Sequence, residues 1–136
     1  MDYSGILMDA ARDGNIPLAK EMIEKGATSF NLAMGEAVDY GHIEMVKLLL
    51  DKANNYNYGF VGGAFNGRID IMQLMISRGA NEYNRALKFA AQGGHIDSVE
   101  FLISKGANNY DSAIRRSSND DIKRLLEIYK EGKVKL

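Results

Sequence analysis

The sequence repeats itself, and this repetition constrains the fold more than any other feature. Stretches that begin at Gly41, Gly67 and Gly94 are nearly the same: GHIEMVKLLLDKANNY, GRIDIMQLMISRGANEY and GHIDSVEFLISKGANNY. With Gly14 as a fourth anchor, the spacings along the chain are 27, 26 and 27 residues. Repeats of this length are typical of solenoids, in which each unit buries its apolar face against its neighbours. We therefore predict a stack of similar units.

Several positions are filled in the same way in every copy. Isoleucine follows each anchor glycine after two residues, and alanine follows it after twelve or thirteen. A weaker fifth copy begins at Asp111. We expect one domain without a linker, with units at about 4–30, 31–56, 57–83, 84–110 and 111–136. An aromatic residue closes the units, and this column contains Tyr3, Phe30, Tyr56, Tyr83 and Tyr110.

Each unit has the pattern of two helices. Small residues such as Ala90 and Ala91 lie on one face of the first segment and predict close approach to neighbouring helices. In the second segment, apolar residues recur at helical spacing within residues 94–107. Asp97 lies in its first turn, where the helix dipole favours an acid, and Gly106 suits a left-handed end. The signals for starting and ending a helix therefore agree.

We assign structural roles to two columns of polar residues in the repeat. We expect His42 and His95 to form hydrogen bonds within the loop before the second helix. They are two units apart, so stacking at about 8–10 Å per helix separates them by nearly 20 Å, too far to share a metal ion. Short polar residues are expected to cap the first helix of each unit. This column contains Ser4, Asn31, Asn57, Asn84 and Asp111.

The pattern A-A-x-x-G-H-I-D-x-V-x-x-L-I-x-x-G-A-N, complete from Ala90 to Asn108, resembles the ankyrin repeat. The resemblance covers all five units, more loosely the last, and implies an all-α solenoid of about five stacked helix–loop–helix repeats. Ankyrin repeats have about 33 residues, whereas these units have 26–27. The missing residues fall where the family forms its projecting β-hairpin finger. Such short units, ending in G-A-N-x-Y, are similar to arrays encoded by giant DNA viruses of amoebae and by some protists.

The aromatic column has two interpretations. Its side chains could pack against the core under the shortened loops, since aromatic residues supply large buried areas. They could instead form a recognition strip on the surface. The sequence favours packing but leaves both interpretations open.

Composition and motifs argue against several classes of function. The chain has 136 residues, a formal net charge of −1 and no cysteine. Such a charge offers no general attraction to nucleic acid or an anionic membrane. There is no phosphate-binding loop, metal-ligand spacing or catalytic constellation, so we expect no enzyme and no cofactor. The acidic start and the absence of a long apolar run indicate a soluble, cytoplasmic protein, in the host cytoplasm if its source is viral.

The remaining candidate is a protein-binding surface. In ankyrin proteins the two residues before the loop glycine commonly contact partners, and in this chain those positions vary while the neighbouring columns stay constant. The resemblance implies a partner-binding face made of Arg12, Asp13, Asp39, Tyr40, Tyr58, Phe65, Asn66, Arg85 and Gln92. We expect a protein-interaction module that binds an unknown protein partner, with Tyr40 and Phe65 as central anchors. The alternative is a structural or self-associating repeat protein, although polar residues in the end units, such as Glu21 and Glu127, favour a monomer.

Overall fold

The computed structural model describes residues 1–132 of the chain. This part contains ten helices and no strand, which confirms the predicted all-α class. The helices are α1 (Tyr3–Asp13), α2 (Ile16–Glu24), α3 (Phe30–Asp39), α4 (Ile43–Leu50), α5 (Tyr56–Phe65), α6 (Ile69–Ser77), α7 (Tyr83–Gly93), α8 (Ile96–Ser104), α9 (Tyr110–Arg116) and α10 (Asp120–Lys130). Successive helices form five pairs, and we call the odd-numbered ones the first helices and the even-numbered ones the second helices.

The pairs stack side by side into a solenoid. Each first helix packs against its own second helix and along the first helix of the next pair. Contacts between successive second helices are much weaker. The first helices therefore form the more closely packed row. We call the exposed side of this row the inner face.

Small side chains make this close spacing of the first helices feasible. Ala10 and Ala11 of α1, Ala37 of α3 and Ala90 and Ala91 of α7 are fully buried between helices. In α5 glycine takes this role. A Cβ placed on Gly63 would lie only 3.1 Å from Ile71 Cγ2 of α6, so this glycine brings α5 close to its own second helix. The core is one continuous apolar cluster that runs through all five pairs, as expected of a solenoid.

The second helices end as the sequence predicts. Gly26, Gly79 and Gly106 have φ values of 102°, 104° and 109°. After Gly106, the backbone N–H of Ala107 donates to the carbonyl of Leu102, which satisfies an acceptor that the helix leaves unpaired. The second pair lacks this glycine, and there the chain leaves α4 through Lys52 and Ala53.

The expected capping column has a different role. The first helices start at or before its residues, so the asparagines lie inside the first turn and not at the cap. Asn57 Oδ1 accepts hydrogen bonds from the backbone N–H groups of Asn81 and Glu82, at 2.9 and 3.1 Å, in the loop that leads from α6 into α7. Asn31 makes the same two contacts, with Asn54 and Asn55 in the loop from α4 into α5. The prediction of capping was therefore wrong, and these side chains hold the loop at the end of their own unit, which leads into the next pair.

The histidine column also acts between pairs and not within its own loop. His42 Nε2 lies 2.9 Å from the carbonyl oxygen of Arg12, at the end of the preceding first helix. Arg68 occupies the same column, and its Nη1 donates to the carbonyl oxygen of Gly41 at 2.9 Å. These two loops are thus each held by a side chain of the next unit, and for His42 the predicted bond within its own loop was wrong.

The aromatic column packs against the core. All five of its members are half-buried against the apolar cluster. Tyr83 makes an edge-to-face contact with the buried ring of Phe60, with centroids 5.6 Å apart. Tyr56 donates its hydroxyl hydrogen towards the carbonyls of Leu50 and Ala53, in the loop that lacks a glycine. These contacts support the packing interpretation.

Candidate functional site

A groove of about 360 Å³ lies at the centre of the inner face, where α3, α5 and α7 meet. We call it the central groove. Its walls come from the C-terminal half of α3 on one side and from α7 on the other, and α5 forms its floor. Its lining residues are Gly35, Val38, Asp39, Tyr58, Val61, Gly62, Phe65, Arg85 and Phe89.

Glycine shapes the floor and one wall of the central groove. A Cβ on Gly35 would lie 2.5 Å from Tyr58 Cε2, so the ring of Tyr58 lies directly over the backbone of α3. A Cβ on Gly62 would meet Val38 Cγ1 at 3.1 Å. Any larger residue at Gly35 or Gly62 would push the neighbouring side chain away. Glycine inside a helix costs about 1 kcal/mol relative to alanine, so these two positions trade stability for close packing.

The aromatic side chains of the central groove remain accessible. Tyr58 is 45% exposed and Phe65 is 42% exposed. Phe65 meets Phe89 edge to face, with ring centroids 6.4 Å apart. The guanidinium of Arg116 lies over the other side of Phe89, with Cζ 5.6 Å from the ring centroid. The two phenylalanines therefore form an apolar surface with a cation at its edge.

Charged groups stand on opposite walls. Asp39 ends α3, and its Oδ1 accepts a hydrogen bond of 3.3 Å from the Asn66 side chain. Arg85 lies in the first turn of α7, and its Nη1 is 3.3 Å from Glu82 Oε1. Both groups are exposed. The groove is thus apolar in the middle, acidic at one wall and basic at the other.

The structure brings together part of the residue set expected from the sequence. Asp39, Tyr58, Phe65 and Arg85 all line the central groove. Tyr40, which is 58% exposed, lies outside it.

A smaller depression adjoins the central groove at the end of α3. Tyr40 and Asn66 line it beside Arg68. Arg68 also holds Asp70 through two hydrogen bonds of 3.1 and 2.8 Å, which lowers the pKa of Asp70 and raises that of Arg68. Arg68 is already engaged with Asp70 and with the preceding loop, so we assign it a structural role.

The remaining expected residues lie towards the two ends of the inner face. Arg12 is paired with Asp9 at 3.1 Å and with Asp13 at 3.6 Å. The negative charge of Asp9, and to a smaller extent that of Asp13, raises the pKa of Arg12. Gln92 Oε1 accepts a hydrogen bond of 3.1 Å from Arg116 Nη1. These residues flank the central groove without lining it.

Sequence reasoning missed Gly35, Val38, Val61, Gly62 and Phe89 as lining residues. A signal for two of them was present. The column five residues before the loop glycine contains Gly62 and Phe89, and in the first two units it contains Asp9 and Glu36. It varies as strongly as the two columns that were selected. Val38 lies in a column that otherwise contains buried alanines, whereas Gly35 and Val61 share a column with Met8 and Lys88.

Within residues 1–132, His, Asp and Glu side chains do not gather into a group of three that could hold a metal ion. None of the helices in this part of the chain has both the length and the apolar character needed to cross a lipid bilayer.

Comparison with known families agrees with the geometry. The sequence model of the ankyrin repeat matches residues 31–58 and 82–114. These segments contain α4, α7 and α8 completely and α3, α5 and α9 in part, yet all five helix pairs share one arrangement. No curated protein matches the sequence. Ankyrin repeats are generally protein–protein interaction modules and are generally not enzymes. The ankyrin repeat model thus matches two stretches of the chain, and the repeated helix pairs of residues 1–132 are consistent with an ankyrin-like array.

Proposed function

We propose that this protein is a non-enzymatic interaction module that binds a segment of a protein partner in the central groove. The observation that carries this proposal is the accessible aromatic surface of Tyr58, Phe65 and Phe89 at the middle of the inner face. Aromatic side chains dominate binding energy at protein interfaces, especially near their centre. Here they lie where three helices meet, with charged groups at the edges.

The shape of the groove supports a polypeptide as its occupant. The groove opens to solvent and presents two exposed aromatic side chains, Tyr58 and Phe65, to a bound polypeptide. Its floor is fixed by close helix packing, which keeps the cost of ordering the site low on binding. Tyr40, Asn66 and Gln92 lie beyond its ends, where they would contact the flanking residues of a bound segment.

We further propose that the units at about 4–30, 31–56, 57–83, 84–110 and 111–136 form one domain, which acts as a monomer in the cytoplasm. Glu21 and Glu127 are exposed in a column where the inner units have half-buried apolar residues. Charged residues at the ends of the stack oppose end-to-end association. Light scattering over a range of protein concentrations tests this, and a stable dimer would favour the alternative of a self-associating protein.

The test of the proposed site is affinity capture from the native host, read by mass spectrometry. The wild type is compared with the double variant Tyr58→Ala/Phe65→Ala. The control is Ile96→Ala, because Ile96 is 40% exposed but lies on α8, away from the inner face. Far-UV circular dichroism confirms that all three proteins are folded.

We expect the wild type and the control to recover the same partner, and the double variant to lose most of it. Alanine at an interface anchor commonly costs about 2 kcal/mol or more, a reduction in affinity of roughly thirtyfold. Equal recovery by the folded double variant would remove the central groove as the binding site.

A further inference from the structure

The charges of the first helices are arranged in order along the stack. α1 has two acidic residues and one basic residue, and α3 has two acidic residues. α5 has no charged residue. α7 has two basic residues, and α9 has two basic residues and one acidic residue. The formal charge therefore runs from −3 over α1 and α3, through zero on α5, to +3 over α7 and α9.

The second helices do not share this order. Their formal charges are −1 for α2, zero for α4, −1 for α6, −2 for α8 and zero for α10. Both rows belong to the same repeated units and pass through the same positions of the stack. The ordered change of charge along the stack therefore occurs only in the row of first helices, which forms the inner face.

The neutral middle of this gradient coincides with the central groove. Asp39 stands on the wall that faces the acidic units. Arg85 stands on the opposite wall, and Arg116 lies against the outer side of Phe89. The apolar floor supplied by α5 separates the two signs of charge.

We infer that the bound segment has a matching order: basic residues over α1 and α3, an apolar anchor on α5, and acidic residues over α7 and α9. This inference rests on the proposed function, because it names the chemistry of the segment that the central groove holds. Complementary charges fix the register of a partner and disfavour wrong ones. With opposite signs at the two ends, a segment placed backwards brings like charges together, so the inner face selects one orientation.

The test is a selection from a display library of random peptides on the immobilised chain. Peptides of about ten residues span roughly 33 Å when extended. The five first helices span a similar length, about 36 Å, at a spacing of about 9 Å. Bound peptides are sequenced and then measured individually by fluorescence polarisation against the wild type and the variant Phe65→Ala.

We expect enriched peptides to carry Lys or Arg at one end, Asp or Glu at the other, and apolar residues between them. Their binding should depend on Phe65. Peptides that depend on Phe65 but carry one sign of charge, or no ordered charge, would overturn this inference and leave the proposed function standing. A failure to enrich any peptide that depends on Phe65 would overturn both.

A charge exchange then tests the orientation directly. Asp39→Lys should weaken the selected peptides by roughly tenfold or more, since it places like charges together. Replacing the single basic residue of the peptide that meets position 39 by an acidic one should restore part of the binding to this variant, whereas the other basic residues still face the remaining acids of α1 and α3. Glu100→Lys is the control, because Glu100 is an exposed acid on α8, and it should leave the affinity unchanged. Equal losses in the two variants, or no rescue by the exchanged peptide, would contradict the inferred orientation.

Discussion

The imidazole of His95 occupies the space that a side chain on Gly67 would need, although the two residues belong to different units. A Cβ placed on Gly67 would lie 2.5 Å from His95 Nδ1. Gly67 also has a φ of 71°, in the left-handed region that disfavours other residues. Two independent causes thus require glycine at this position.

This relationship predicts different costs for the same substitution at two loop glycines. Gly94 has a similar φ of 78°, but nothing lies within 4 Å of a Cβ placed there. Gly94→Ala should therefore cost only the backbone strain, about 1–2 kcal/mol. Gly67→Ala should cost clearly more, because the His95 ring must move as well. Urea unfolding of both variants measures the difference in the free energy of unfolding. Equal losses of stability would show that the His95 ring moves aside without an energetic cost.

The contact between Asn57 and the loop that leads into α7 predicts a loss of stability in Asn57→Ala. Its Oδ1 accepts two backbone hydrogen bonds from the following loop. Their loss should lower the free energy of unfolding by about 1–2 kcal/mol.

Asn57→Asp is the matched control, since a carboxylate retains the acceptor oxygen and suits the first turn of a helix. It should retain most of the stability. If alanine and aspartate proved equally destabilising in urea unfolding, the hydrogen bonds would not be the cause.

The buried position of Ser98 leads us to expect that its replacement by alanine stabilises the protein. Its side chain is buried, with 1% exposure, and its hydroxyl has no hydrogen-bond partner. Met45 and Ile71 fill the same column in other units and are fully buried apolar residues. Ser98→Ala removes the unpaired hydroxyl and should raise the free energy of unfolding by about 1 kcal/mol. A lower melting temperature in calorimetry would contradict this.

Because Tyr83 is half-buried, we expect the aromatic column to stabilise the fold. Tyr83→Ala removes the edge-to-face contact with Phe60 and should cost about 2 kcal/mol. Tyr58→Ala should cost less, because that ring is more exposed and lies in the groove. Thermal unfolding compares the two. If Tyr83→Ala left the stability unchanged, this result would instead favour the interpretation of the aromatic column as a recognition strip.

The pair formed by Arg68 and Asp70 predicts a dependence on pH. Because Arg68 lowers the pKa of Asp70 in the folded state, the pair stabilises the fold above the ordinary aspartate pKa of about 4. This stabilisation is lost as the pH falls through the lowered pKa of Asp70. Asp70→Asn should thus be less stable than the wild type at pH 7, by under about 1 kcal/mol since Asp70 is half exposed. The two proteins should converge in strongly acidic solution, and a gap that persists there would exclude this cause.

The helix pairs could be predicted from the sequence because every signal occurs several times. The glycine stop after Lys105, for instance, is repeated after Arg78 and Lys25. Repetition also hides some contacts. Asn57 lies 24 and 25 residues before the groups that it binds, at the opposite end of its own unit, so the helical spacing within each segment does not reveal this contact.

The central groove could be predicted only in part for a related reason. Tyr58 and Phe65 stand out as exposed aromatic residues in variable columns. Val61 and Phe89 border the groove because of how α5 and α7 meet, and no single unit contains that information. The floor at Gly62 depends on the distance to Val38 of another helix.

The asparagine and histidine contacts have an evolutionary consequence. Asn31, Asn57 and Asn84 each hold the loop at the end of their own unit, whereas His42 and Arg68 bond back to the preceding unit. Each of those two bonds ends on a main-chain carbonyl, which any residue supplies. Units of this kind can therefore be duplicated or deleted without new side-chain partners, so that exchange of whole units can reshuffle the residues of the inner face while the scaffold persists.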